Sequence, residues 1–149
     1  MNVLVAVDGS DASENALTHA IDVADAMDGS VTAVHAIDPS VFDTGGTDPI
    51  ASASDADERL ILESVDDAEQ RGMDVLENAA DHAEEHGHDV ETELLYGDPV
   101  TEIAAFADDD GFDAIFVGHR GRSERTELLV GSVAKQLVER ATVPVTVVR

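Results

Sequence analysis

The chain has no cysteine, almost no aromatic residues and very little positive charge. Without cysteine there is no disulfide, no thiolate nucleophile and no Cys-ligated zinc or iron–sulfur centre. Aromatics make up 3% of the residues, so the 43% that are hydrophobic must build a core mainly from Ala and Val. No apolar run approaches the roughly 18 residues that a membrane span needs. The chain opens directly on the strand-like run Asn2-Val3-Leu4-Val5-Ala6-Val7, with no basic segment before it. That pattern does not resemble a signal peptide and predicts a cytoplasmic protein without membrane association.

Lysine is represented by Lys135 alone, and eight basic residues face thirty-three acidic ones, for a formal net charge of −25. A phosphate backbone or an anionic bilayer would be repelled, so nucleic acid and membrane are excluded as partners. The acids are interleaved with periodic apolar residues instead of forming long blocks, which argues against disorder. Such a surface suits molar salt, where the Debye length falls to about 3 Å and self-repulsion is screened. The composition therefore predicts a halophilic protein from an acidic proteome.

What is present is a regular switching of hydrophobic period. Val3 to Val7 reads as a strand, and Ala16, Leu17, Ala20, Ile21 and Ala24 recur at helical spacing up to Gly29. Val31 to Ile37 reads as a second strand. Residues 38–54 are small, polar and glycine-bearing, and predict a flexible loop. An acidic helix is predicted over about 55–85, with Leu60, Val65, Ala68, Leu76, Ala79 and Ala83 as apolar positions and Gly72 interrupting it. Further strands are predicted at Val90 to Tyr96, Ala114 to Val117 and Val143 to Val148. Asp98-Pro99 opens one helix as N-cap and first residue, and Ser132 to Ala141 forms another. The 149 residues thus predict one α/β domain: a doubly wound, five-stranded parallel sheet of order 3-2-1-4-5 with helices on both faces. In such a sheet ligands bind beyond the strand C-termini at the switch point, here after Val7 and after Val117.

The second of these places carries the chemistry. Gly118-His119-Arg120-Gly121 is followed, nine residues later, by Gly131-Ser132-Val133 opening a helix. Glycines let backbone approach a ligand closely, and a helix start offers amide donors and the positive end of a dipole. Arg120, Arg122 and Arg125 precede that helix and Lys135 lies one turn into it, half of all the basic residues in the chain. The alternative, arginines paired with some of the many surface carboxylates, leaves this clustering unexplained.

Gly118-x2-Gly121-x9-Gly131-Ser132 resembles the G-2x-G-9x-G-[S/T] signature of ATP-binding universal stress proteins. The opening strand into Asp8-Gly9-Ser10, the His35-Ala36-Ile37-Asp38 segment and the closing Val143-Pro144-Val145-Thr146-Val147-Val148 resemble the same family, so the similarity spans the chain. There is no Walker P-loop and no early GxGxxG fingerprint. The resemblance implies that Gly118, Gly121, Gly131, Ser132 and Val133 hold ribose and phosphates through backbone amides and the hydroxyl. It implies that Asp8 contacts the ribose or a metal-bound water, and that Ala6 and Val7 line the pocket. Ala36 takes a place where valine is more usual and where the backbone meets the adenine edge. Arg120 and Arg122 join the phosphate site on charge. Mg2+ or Mn2+ bridging the phosphates, and a homodimer formed through Val143 to Val148, are implied as well.

Other signals are weaker. His82-Ala83-Glu84-Glu85-His86 matches the HxxEH pattern of inverted zinc peptidases, but histidines at a helix C-terminus are favoured by the dipole alone. Ser10, Asp11 and Ser13 read as helix capping. His35 borders the expected pocket. No metal-binding set and no catalytic residue is assigned; His119 and Asp8 are the only pocket groups able to act on water. The sequence thus predicts a nucleotide-dependent dimeric sensor in stress regulation, with slow hydrolysis at most and an unnamed client protein. A genuine Mg-dependent ATPase or phosphotransferase is the alternative, as is a dimeric adaptor that binds no nucleotide.

Overall fold

The computed structural model describes residues 1–38, 55–121 and 130–149, with side chains of 55–64 left out of the description. The expected loop at 38–54 lies, beyond Asp38, outside the described residues, as do Arg122 and Arg125. The elements in chain order are β1 (Asn2–Ala6), α1 (Asp11–Ala26), β2 (Ser30–Ile37), α2 (Asp55–Glu85), β3 (Val90–Tyr96), α3 (Pro99–Asp109), β4 (Ala114–Gly118), α4 (Ser132–Arg140) and β5 (Val145–Val148). The sheet is wholly parallel and ordered β3-β2-β1-β4-β5, as the alternation of periods predicted.

Strand side chains alternate between the two faces, and the core divides accordingly. Val3, Val5, Val31, Ala33 and Phe116 pack under α1 and α2. Leu4, Val34, Ile115 and Val117 pack under α3 and α4, with Ile103 and Leu137. Both faces are covered, which is why the strands read as continuous apolar runs instead of alternating ones. Among the described residues no helix is long and apolar enough to cross a membrane.

Two details differ from expectation. Helix α2 runs unbroken through Gly72, where a Cβ would lie 2.9 Å from both His35 Cδ2 and Leu94 Cδ1. The glycine lets the helix sit close on β2 and β3; it does not interrupt it. Strand β5 begins at Val145 and not at Val143, because Pro144 has no N–H for the ladder and contributes only its carbonyl, which accepts from Ile115 N.

The helix starts follow their caps. Ser10 is the N-cap of α1 and accepts from Ser13 N, while Asp98 caps α3 by accepting from Thr101 N, with Pro99 at the first position. Helix α4 starts after Gly131, which has no side chain with which to cap it.

Candidate functional site

At the C-terminal rim of β1, β2 and β4 lies a cavity of about 490 Å³, within the range of small-molecule sites. It stands at the expected switch point, since β1 pairs with β2 on one side and β4 on the other. The end of β1 supplies Ala6, Val7 and Asp8, and the end of β2 supplies His35, Ala36, Ile37 and Asp38. Val117, Gly118, Arg120 and Gly121 come from β4 and the residues after it; Gly131, Ser132, Val133 and Ala134 come from the start of α4. The nucleotide-site residues expected from sequence thus line one cavity, except Arg122, which is outside the described residues, while His119, expected as a pocket group, is not part of the lining. Lys135 is exposed and does not line it.

The turn after β1 is fixed by short polar contacts. Asp8 Oδ1 accepts from Ser10 N at 2.9 Å and from Ser10 Oγ, and the Asp8 amide donates to Ser13 Oγ at 3.3 Å. Ser10 Oγ also reaches the Arg120 carbonyl at 3.5 Å, linking the rim of β1 to that of β4. His35 Nδ1 lies 2.8 Å from the Val7 carbonyl. A carbonyl only accepts, so Nδ1 carries the proton and the ring orientation is set by β1.

The glycines have distinct reasons. A Cβ on Gly118 would come within 2.8 Å of the Ala12 carbonyl carbon and 2.9 Å of Ser13 N, so the end of β4 must be bare for α1 to start against it. A Cβ on Gly121 would stand 2.8 Å from Asp8 Oδ2. Gly131 has an extended backbone, φ −65° and ψ 160°, which any residue can adopt.

The Gly131 amide has a structural role that spacing did not show. It donates to the His119 carbonyl at 2.5 Å, and the His119 amide donates to Val148 O at 2.6 Å. Gly131 therefore closes the loop on β4 and does not itself offer an N–H to a ligand. The first turn of α4 carries no side-chain cap and no acidic residue. Beside it, His119 Nδ1 and Arg120 Nε are buried without a hydrogen-bond partner among the described residues. Buried polar atoms are normally satisfied, so such orphans beside a cavity mark a place for water or ligand.

The sequence reading missed the outer wall. Helix α2 contributes Ala68, Arg71 and Val75, spaced to share one helical face, and α3 contributes Pro99 and Ile103. The available signal was Arg71 itself, one of only two basic residues in the acidic segment 55–85, at the same helical phase as Ala68 and Val75.

The HxxEH segment proves to be structural. His82 Nδ1 lies 3.3 Å from Glu14 Oε1 and its Nε2 2.7 Å from Thr18 Oγ1, while His86 Nδ1 meets the His82 carbonyl at 2.8 Å. With His88 against Asp25 at 2.8 Å, these residues fasten the end of α2 to α1. Among the described residues no cluster of three or more His, Asp or Glu could hold a metal ion.

A model of the universal stress protein family matches residues 1–149. Universal stress protein YxiE of Bacillus subtilis is 34% identical over 147 residues, covering 99% of this chain and 97% of that protein. Among solved structures, that of MJ0577 of Methanocaldococcus jannaschii superposes with a TM-score of 0.80 at 26% identity, covering 99% of this chain and 94% of the other. A universal stress protein from Archaeoglobus fulgidus, solved in complex with dAMP, gives a TM-score of 0.68 at 28% identity, with 100% and 98% covered.

Proposed function

We propose, from the premise that this chain belongs to the universal stress protein family, that it is an adenine-nucleotide-binding regulatory protein. One observation carries the reading. The cavity at the switch point ends on an uncapped helix start beside an arginine whose buried Nε has no partner among the described residues. Anionic phosphates satisfy both the helix dipole and the guanidinium. The complex of the Archaeoglobus fulgidus protein with dAMP supports an adenine nucleotide as the occupant.

In this reading the first turn of α4, Ser132 Oγ and Arg120 hold the phosphates. Asp8 faces the ribose, and the strand ends at Ala6, Val7 and Ala36 form the floor. A divalent ion bridging phosphates needs few protein ligands, because Mg2+ keeps several waters. Asp8 fits that need: its Oδ2 is beside the bare Gly121, within the cavity. When bound, such an ion would neutralise phosphate charge. Asp8 Oδ1 is already held by Ser10, which suits a positioning group better than a mobile general base. The protein accordingly binds and signals, with little or slow hydrolysis.

The chain acts as a homodimer in the same reading, through the edge of β5. That edge is half-buried, uncharged over Val145–Val148 and flanked by Val143, whereas the opposite edge strand β3 carries Glu91 and Glu93 exposed. Charged edges resist pairing and uncharged ones invite it.

Calorimetry with ATP and Mg2+ in molar KCl, then assay of the same sample for released phosphate, tests the function. Binding without steady release is expected. Steady turnover would make the protein an ATPase, and absence of binding would leave the adaptor role.

A further inference from the structure

Two arginines line the cavity, Arg120 and Arg71, and they stand on different walls. Arg120 follows β4. Arg71 projects from α2, which sits on β2 and β3 at Gly72. Strand β1 separates β2 from β4, so the two walls are about two strand spacings, or roughly 10 Å, apart. Arg71 thus belongs to a different wall of the cavity from the α4 start.

Arg71 makes no hydrogen bond or ion pair among the described residues. In a chain with thirty-three carboxylates this is unexpected, since an arginine on a helix ordinarily finds an acid at the next turn. Ala68 and Val75 share the helix of Arg71 and the cavity wall, and the end of β2, against which Gly72 packs, adds Ile37, His35 and the carboxylate of Asp38. A second phosphate would be poorly housed among such groups. A flat heterocycle with ring-nitrogen acceptors suits them, for its faces want apolar contact and its electrons want a cation. Guanidinium is the side chain best matched to that task, being planar, weakly hydrated and able both to stack and to donate.

We propose that Arg71 is a specificity-determining residue that holds the base of the bound nucleotide, while Arg120 and the α4 start hold its phosphates. The proposal rests on the nucleotide-binding reading above and adds a division of labour to it. Arg71 reads the nucleoside end only. Its removal therefore lowers affinity for ligands that carry a base and leaves base-free polyphosphate untouched.

The test compares wild type with Arg71→Met by calorimetry in molar KCl, using ATP, adenosine and inorganic tripolyphosphate. Methionine keeps the apolar stem and loses the guanidinium, and Arg71 is exposed with no bonds to break, so thermal unfolding should not change. Expected is a loss of about tenfold for ATP and for adenosine, with tripolyphosphate unaltered. Arg120→Met should weaken ATP and tripolyphosphate, most clearly at low salt, and spare adenosine. An equal loss for tripolyphosphate would show that Arg71 sees phosphate, and would overturn the proposal. Unchanged ATP binding in Arg71→Met would overturn it too, while the nucleotide reading stood. If wild type bound none of the three ligands, both would fall together.

Discussion

Helices α3 and α4 start at the same rim and pack on the same face of the sheet, yet their first turns are built in opposite ways. At α3, Asp98 accepts from Thr101 N at 3.1 Å and Thr101 Oγ1 at 2.9 Å, and Glu102 adds a second negative charge. At α4 the cap is glycine, the first turn has no acid, and Arg120 is nearby in the cavity wall. A side-chain N-cap is worth about 1 kcal/mol over alanine and only a few tenths over glycine. The chain takes that stabilisation at α3 and forgoes it at α4. With no carboxylate there, the positive end of the α4 dipole is not neutralised where it meets the cavity.

The strongest way to break this contrast is to give α4 the cap of α3. Gly131→Asp should place a carboxylate at the proposed phosphate site, and the extended backbone at Gly131 is one that any residue adopts. Loss of at least two charge-assisted hydrogen bonds corresponds to about a hundredfold drop in ATP affinity. The melting temperature should hold or rise. Undiminished affinity would mean that the two helix starts do not differ in function.

Arg120→Met should have a smaller effect, about tenfold on ATP at low salt and near zero on adenosine. In molar KCl the difference should shrink as its exposed part is screened. Calorimetry at two salt concentrations measures both.

Changes at α3 should alter stability and spare binding. Asp98→Ala should cost about 1 kcal/mol in denaturant unfolding, with ATP affinity as in wild type. The Thr101 amide and hydroxyl, helped by the Arg140 charge, hold the Asp98 carboxyl below its ordinary value of 3.8. Because the folded value is the lower one, the stabilisation is full above the ordinary carboxylate range and disappears as pH falls through the depressed value. The gap between wild type and Asp98→Ala should therefore close in acid. A gap that persisted would place the effect elsewhere than in the ionised cap. Asp98→Gly, the smallest change, should cost only a few tenths of a kcal/mol and create no anion site, because Glu102 remains.

The same contrast shows what the sequence made legible. Asp98-Pro99 announces a helix start by itself, and the α3 cap is where the residues put it. Sheet order followed from continuous apolar strands alternating with helical periods, since each signal is local and repeated. The cavity was legible along β1, β4 and α4, because glycine spacing and scarce arginines mark it. Its outer wall was not. Arg71 resembles any solvated helix residue until Gly72 is seen to press α2 onto β2, a contact between segments far apart in the chain. Nor could spacing show that the Gly131 amide serves the His119 carbonyl, for a glycine kept for closure and one kept for a ligand look alike.

The place of β1 in the sheet has a consequence for synthesis. Val3 and Val5 align with Ala114 and Phe116, so the central strand completes its hydrogen bonding only with chain made more than a hundred residues later. An emerging polypeptide can pair β1 with β2 and then β3, but one flank of β1 must wait. Such non-local closure is slow to form and leaves a bare strand edge in the meantime. The floor of the cavity spans that same seam, with Val7 on one side and Val117 on the other. A ribosome-bound fragment ending before β4 therefore has no site, and occupancy by a ligand reports that translation has reached the last third of the chain.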